Sequence, residues 1–410
     1  MLVAAAAVVA GALTADRLGA ANPRLTATVT ATAAWSAAPG PLIPIAVPAQ
    51  GSLAVEAVDG HTLTMLASSQ ADVVRPTASV AKTMTALVVL EAHPLPPGQG
   101  GPVLTMTEQD VQDYRRIAAS GGSYAPVSLG ENLSERDLLL GLMLPSANNL
   151  ALTAARWIDG SVPAFVARLN ARAARLGMSH THFADPDGLD PATTSTAADL
   201  LLLGAATAAD DALLSVVSTV TATLPDGTVV TNLDTLLGAD PGWLGIKTGW
   251  TPAAAGCLLF AARRTLVPGA PPLTVLGAVL GQPPDGRSDA AHPELGAAFD
   301  VARAAVDAAF GQFTAVRVGP RSLPVSGTID APWGTGSGTH LVGPDRIALI
   351  QRGGTLAVAF AAPAVNAPSA AGTPAGIVTV SLRGQAIGAW TLVTDQRLDG
   401  PSPWWKLLHG

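Results

Sequence analysis

Val74-Arg75-Pro76-Thr77-Ala78-Ser79-Val80-Ala81-Lys82-Thr83-Met84-Thr85-Ala86-Leu87 is the stretch on which the reading of this chain turns. Val80, Met84, Leu87 and Leu90 recur at helical spacing and predict a helix over about 79–93 with Ser79 at its start. Ser79 and Lys82 then share one helix face. A lysine amine can take a serine proton only if its pKa falls from ~10.4 toward neutrality, which burial or a second cation achieves. Backbone N–H groups at the helix start point the same way and can stabilise an oxyanion. Taken alone, S-x-x-K is common by chance, and a capped helix with an exposed lysine is the plainer reading.

Two further words follow along the chain. Ser146-Ala147-Asn148 lies between two helical patterns, where Pro145 interrupts them. A hydroxyl and a carboxamide two residues apart can both face a cleft, but Ser and Asn are also ordinary helix caps. Lys247-Thr248-Gly249-Trp250 stands just ahead of a strand pattern at 256–263. Lys and Thr there can bind a carboxylate while Gly249 admits a substrate backbone; an edge strand with a bulge is the plainer reading.

Around these words the chain divides by texture. Residues 52–58 and 62–67 read as a hairpin across Asp59-Gly60. Helical patterns follow at 134–144, 149–158, 163–176 and 195–209, with Ser134/Asp137 as a capping box and Ser161-x-Pro163 opening a helix that Gly177 closes. Strand-like runs return at 218–224, 256–263 and 273–280, before a long helical pattern at 287–310. This order predicts an α+β domain over 51–312, with helices against an antiparallel sheet. Beyond it, runs at 313–318, 345–350, 355–361, 376–382 and 386–393 alternate with Gly/Pro turns and predict a small all-β domain over 313–403. Residues 404–410 form an aromatic and basic tail, which reads either as a membrane-surface contact or as packing on its own domain. At the other end, Met1–Leu13 is apolar and of signal-region length without a cationic start, and 16–50 reads as a Pro-punctuated linker. Segment 1–50 is therefore expected to be a signal or anchor followed by that linker.

Composition removes whole classes. Apolar residues make up 49 % of the 410 and charged ones 13 %, which excludes a disordered, solvating chain. With 23 basic against 30 acidic residues, net −7 and no basic block, nucleic acid is not a partner. Cys257 is the single cysteine, so no internal disulfide forms. His180-x-His182 lacks a third ligand, and Asp185, Asp187 and Asp190 fail a calcium-loop pattern, leaving capping and a turn as their reading. Trp243 and Trp250 are read as sheet-packing residues and Cys257 as a small buried hydrophobe. Neither a metal nor a cofactor is expected.

Ordered S-x-x-K, S-x-N and K-T-G words are a signature of penicillin-recognising serine enzymes. The first motif in its context, Val127-Ser-Leu-Gly130, and Phe183-Ala-Asp-Pro-Asp187-Gly188-Leu189-Asp190 leading into Ser195-Thr196-Ala197-Ala198-Asp199 closely resemble the D-alanyl-D-alanine carboxypeptidases, low-molecular-mass penicillin-binding proteins. The resemblance covers about 50–312 and extends weakly into 313–403. It implies the penicillin-binding/β-lactamase-like transpeptidase fold with a helical subdomain, and an exported, cell-envelope protein. It further implies that Ser79 acylates on a peptidoglycan stem peptide ending in D-Ala-D-Ala, with Lys82 as base and Ser146 as proton relay. Asn148 would hold the substrate amide, Lys247 and Thr248 the terminal carboxylate, and the N–H groups of Ser79 and Trp250 the oxyanion, with Gly249 giving close approach. β-Lactam antibiotics would acylate Ser79. The sequence departs from the family pattern at Ala147 and Asn149 (often Gly and Asp), at Leu244 (commonly acidic), and at Asn232-Leu233-Asp234-Thr235-Leu236-Leu237 (usually Asn-Thr-Asn-x-Leu-Leu). None of these removes a reacting group. A catalytically weak penicillin-binding scaffold and a β-lactamase-like hydrolase are the alternatives; the Glu-x-x-Leu-Asn word of one lactamase class is missing.

Overall fold

The computed structural model describes residues 14–31, 34–36, 38–59, 62–96, 98–284 and 293–409. They fall into two compact units. One runs over Ile43–Leu266 and Pro272–Gln312; the other takes the described residues up to Leu42, Val267–Pro271 and Phe313–Gly410.

The first unit is built on five antiparallel strands: β1 (Ser52–Asp59), β2 (Thr62–Ser69), β3 (Trp243–Thr251), β4 (Ala255–Arg264) and β5 (Leu273–Gln282). Their order is β3-β4-β5-β1-β2, so the strand carrying Lys247-Thr248-Gly249 is an edge. The expected hairpin pairs Asp59 with Thr62, while Gly60 and His61 lie outside the described residues. Strands β4 and β5 are apolar and buried along most of their length because both their faces are covered.

Helices account for that covering. They are α1 (Lys82–Ala92), α2 (Glu108–Ala119), α3 (Glu135–Met143), α4 (Asn148–Asp159), α5 (Val162–Leu176), α6 (Ala197–Ala209), α7 (Asp211–Val217) and α8 (Gly296–Gly311). Helix α6 lays Gly204 over Leu259, whereas α8 lays Phe310 under the Arg264 guanidinium. Positions 259 and 264 differ in parity, so the two helices take opposite faces of β4. Helix α1 is buried from Lys82 to Leu90 and stands at the centre of the helical region, packed by α3, α4, α5, α6 and α7. The caps at Ser134 and Ser161 form as expected.

Three differences from the sequence reading have physical causes. Helix α2 has no counterpart among the expected elements, because its inner face carries Asp110 and Asp113 beside only Val111 and Ile117. Its start is nonetheless marked by a Thr107/Asp110 capping box. Of the long pattern at 287–310, described residues 293–295 form a turn and the helix runs Gly296–Gly311; 285–292 lie outside the described residues.

The third difference is in the β-rich unit. Its seven-stranded sheet includes strands at Val325–Asp330 and Gly336–Val342, which the sequence reading passes over. Its two edges are Thr28–Ala31, paired to Val325–Asp330, and Ala34–Ser36, paired to Thr355–Ala361. The linker reading of 16–50 is therefore corrected over this part: four- and three-residue strands gain their stability from distant partners, not from local pattern. The apolar Met1–Leu13 segment lies outside the described residues. The tail forms a helix at Pro403–His409 whose Trp405 meets Trp333 edge-on, and Lys406 Nζ donates to Ala20 O at 3.0 Å. Among the described residues no single helix is long and apolar enough to cross a membrane.

Candidate active site

Ser79 sits in a 3-10 turn, Ala78–Ala81, that runs straight into α1. The short strand Arg75–Pro76 ahead of it pairs with Thr194–Ser195, which ties the turn to the start of α6. Ala78 is held at φ 47°, a left-handed conformation that L-residues other than Asn, Asp and Gly rarely adopt. The loop from Asp185 to Asp190 presses against this turn. A Cβ on Gly188 would collide with Ala78 O, so glycine is required there. Asp185 and Asp190 are occupied within the loop. Asp185 accepts from the N–H groups of Gly188 and Asp190 and from Thr193 Oγ1; Asp190 accepts from Ala192 N–H. These contacts are the turn role read from the sequence; no helix cap is among them, since the next helix is capped by Thr196.

Lys82 is fully enclosed, and its Nζ donates to Ser79 Oγ at 2.7 Å and to Asp187 O at 2.9 Å. Burial lowers its pKa to about 8, opposed by the charges of Asp187 and then Asp185. Burial conversely raises the Asp187 carboxyl, opposed mainly by Lys82. Thr85 Oγ1 donates to Pro186 O at 2.7 Å, a second clamp between α1 and this loop.

The second motif approaches from the loop between α3 and α4. Ser146 adopts φ 65°, the other motif residue in a left-handed conformation. Ser146 Oγ and Asn148 Oδ1 are buried without a hydrogen-bond partner. An orphaned buried polar atom costs about 1–3 kcal/mol, a cost that a partner from outside the chain would remove. Asn148 is held by its backbone N–H to Ser123 O at 2.9 Å. Asn149 explains one departure from the family pattern. Its carboxamide accepts from Ala125 N–H at 3.1 Å and donates to Ala125 O at 2.9 Å, a pairing that an ionised Asp cannot make.

Strand β3 carries the third motif. A Cβ on Gly249 would stand 2.9 Å from Thr77 O and 3.1 Å from Ser79 N, so the third motif lies directly against the head of α1. Lys247 and Thr248 are buried, and Lys247 Nζ donates to Thr248 O at 3.1 Å. Burial drives the Lys247 pKa well below its usual value; the Lys82 charge lowers it further and the Asp234 charge raises it. Trp250 is 42 % exposed, which corrects its reading as a packing residue; Trp243 is buried and stacks on Phe260 at 5.5 Å, as expected. Cys257 is enclosed and its thiol is pushed up to about 12, so it stays unreactive. His180 and His182 lie exposed outside this group. Among the described residues no group of three or more His, Cys, Asp or Glu could hold a metal.

The first and third words thus meet, Gly249 lying against Ser79 and the Lys82 charge acting on Lys247, while the loop carrying Ser146 and Asn148 joins α3 and α4, which both pack on α1. Sequence reasoning passed over two contributors, the Asp187 carbonyl on Lys82 and the Asp234 carboxylate near Lys247. The second lay in a stretch already marked as a departure.

Comparisons with known proteins match the part of the chain that carries these residues. The family model described as D-alanyl-D-alanine carboxypeptidase matches residues 44–271. A D-alanyl-D-alanine endopeptidase of Escherichia coli K12 is 32 % identical over 237 residues, covering 55 % of this chain and 70 % of that protein. A D-alanyl-D-alanine carboxypeptidase of Streptomyces sp. K15 is 33 % identical over 261 residues, 59 % and 88 % of the two chains. Among solved structures, the Streptomyces K15 DD-transpeptidase aligns with TM-score 0.51 at 28 % identity, over 64 % of this chain and all of that one. A penicillin-binding protein homologue from Mycobacterium tuberculosis aligns with TM-score 0.54 at 29 % identity, over 67 % and 96 %.

Proposed function

Because this chain belongs to the D-alanyl-D-alanine carboxypeptidase family and is a serine peptidase of the penicillin-binding fold, we propose that it removes the terminal D-alanine from peptidoglycan stem peptides through an acyl-enzyme on Ser79. One observation carries the assignment of roles. The enclosed Lys82 amine stands 2.7 Å from Ser79 Oγ with its pKa lowered to about 8. That is the arrangement a neutral amine needs to act as general base.

In this reading Ser79 Oγ attacks the carbonyl carbon of the penultimate D-Ala and its proton passes to Lys82 Nζ. The oxyanion settles between the N–H groups of Ser79 and Trp250, each donor contributing about 3–4 kcal/mol. The C–N bond then breaks, and Ser146 relays a proton to the departing D-alanine amine. Water attacks the ester, releasing the shortened peptide and restoring Ser79. Asn148 Oδ1 finds its missing donor in the substrate amide. Lys247 and Thr248 take the terminal carboxylate. Two enclosed ammonium groups repel, so the Lys82 charge adds to burial in lowering the Lys247 pKa. A carboxylate on Lys247 restores the charge there and, by the same repulsion, favours the neutral form of Lys82. Substrate binding therefore helps prepare the base.

Stem peptides lie outside the cytoplasmic membrane, which places the protein there. Export through the apolar Met1–Leu13 segment, a membrane-surface contact at the aromatic tail and an accessory role for the β-rich residues 313–403 complete the proposal. β-Lactams, which mimic acyl-D-Ala-D-Ala, are ligands of the same cleft. The test is release of D-alanine from a pentapeptide by purified protein beside a Ser79→Ala control. Release by the first alone supports the reading, and equal release by both overturns it. Slow loss of a fluorescent penicillin label separates it from a β-lactamase, which would shed the label rapidly.

A further inference from the structure

Beneath the third motif lies a carboxylate that the reaction described above does not use. Asp234 is 2 % exposed, on the loop between the helical region and β3. Its Oδ2 accepts from Trp243 Nε1 at 2.8 Å and its Oδ1 from Leu236 N–H at 3.1 Å. The loop is pinned on its other side as well. Asn232 Nδ2 donates to Val217 O and Thr219 O, and Leu233 N–H donates to Leu144 O at 3.2 Å, two residues before Ser146. Asp234 thus joins the lead-in to the second motif with the first residue of the strand that carries the third. The charged groups acting on it are Lys247, which stabilises its anion, and Asp240, which opposes it and is itself paired to Arg303 at 2.9 Å.

Two enclosed amines would leave the cleft with an excess of positive charge that low-dielectric surroundings resist. The structure distributes two enclosed carboxyl groups against them, Asp187 acting on Lys82 and Asp234 on Lys247. We propose that Asp234 is a positioning residue for carboxylate recognition: it fixes the Trp243 end of β3 and supplies the negative charge that keeps Lys247 an ammonium ready for a free C-terminal carboxylate. The chain departs from its family's usual Asn at this position. In charge terms, this cleft carries its own counter-ion for Lys247. A carboxamide there would leave Lys247 with the Lys82 charge uncompensated, which weakens the hold of Lys247 on its proton. The consequence for specificity is direct: preference for a free carboxylate over an uncharged C-terminus depends on Asp234.

This inference rests on the carboxypeptidase reading of the same cleft. Its experiment compares kcat/KM for an acyl-D-Ala-D-Ala peptide with that for the same peptide bearing a C-terminal amide. Asp234→Asn is expected to reduce the carboxylate-over-amide ratio about tenfold, the effect of about one pKa unit at Lys247. Asp234→Glu, which keeps the charge, should hold the ratio even if turnover falls. Trp243→Phe keeps the ring against Phe260 but removes the Nε1 donor, and should lower the ratio by less. A purely structural role would depress both substrates together. An unchanged ratio in a folded Asp234→Asn or Trp243→Phe protein overturns the inference. If the unmodified enzyme releases no D-alanine from the carboxylate substrate, the carboxypeptidase reading fails instead.

Discussion

The two units bury different chemistry. In the catalytic unit, Lys82, Lys247, Asp187, Asp234 and Glu135 are all enclosed, alongside the Asp110–Arg156–Asp113 ion-pair network between α2 and α4. In the β-rich unit, the enclosed polar side chains are uncharged, Ser337 and Thr394 with the buried oxygens of Asn22, Thr339 and Ser369, and the core is Trp390, Val378, Val380, Leu392 and their neighbours. Enclosed charges are expensive and persist where something depends on them. The contrast teaches that the first unit gives up packing free energy to enclose charged groups, whereas the core of the second is apolar.

That contrast can be broken most severely at Lys247. Replacing it with Ala removes the carboxylate partner and is expected to lower kcat/KM for the D-Ala-D-Ala substrate about 100-fold or more, the usual cost of losing one side of an enclosed charge pair. Steady-state kinetics check this, and a change under threefold would contradict it. In the unmodified protein the acylation rate should rise as pH passes through about 8, because burial lowers Lys82 and only its neutral amine can take the Ser79 proton.

Glu135 sharpens the comparison within the catalytic unit. Both its oxygens are buried without a hydrogen-bond partner, and burial raises its pKa from 4.5 to about 7. A carboxyl raised on folding resists ionisation, so its penalty is absent below pH ~4.5 and grows as pH rises toward 7. Glu135→Gln should therefore stabilise the protein at pH 8 by about 1–3 kcal/mol and change little at pH 4. Thermal denaturation at the two pH values checks it, and a Gln variant less stable at pH 8 would show that the carboxylate has a partner. The smallest expected effect on chemistry lies in the β-rich unit. Val378→Ala should cost about 1–3 kcal/mol of that unit's stability. Acylation by penicillin should stay within twofold, and a larger loss would tie the second core to the cleft.

Legibility in the sequence follows the same division. The catalytic motifs were readable because each is local, a hydroxyl and an amine three residues apart or a Gly beside a Lys, while their convergence came only through the ordered resemblance. Strands such as Thr355–Ala361 and Gln385–Thr394 were readable from their alternation between turns. Helix α2 was not, since pattern reading follows apolar periodicity and this helix docks through Asp110 and Asp113 onto Arg156. Thr28–Ala31 and Ala34–Ser36 were not, since what makes them strands is 300 residues away in the chain. Asp234 was visible as a departure, but its meaning needed Trp243 and Lys247 beside it.

Intact-mass measurement of the purified protein after exposure to penicillin tests the central claim most directly, with the modified peptide mapped. Addition of one penicilloyl group to the peptide containing Ser79, and none to Ser79→Ala, is the predicted result. An unchanged mass, or a label carried by any other residue, would contradict the account.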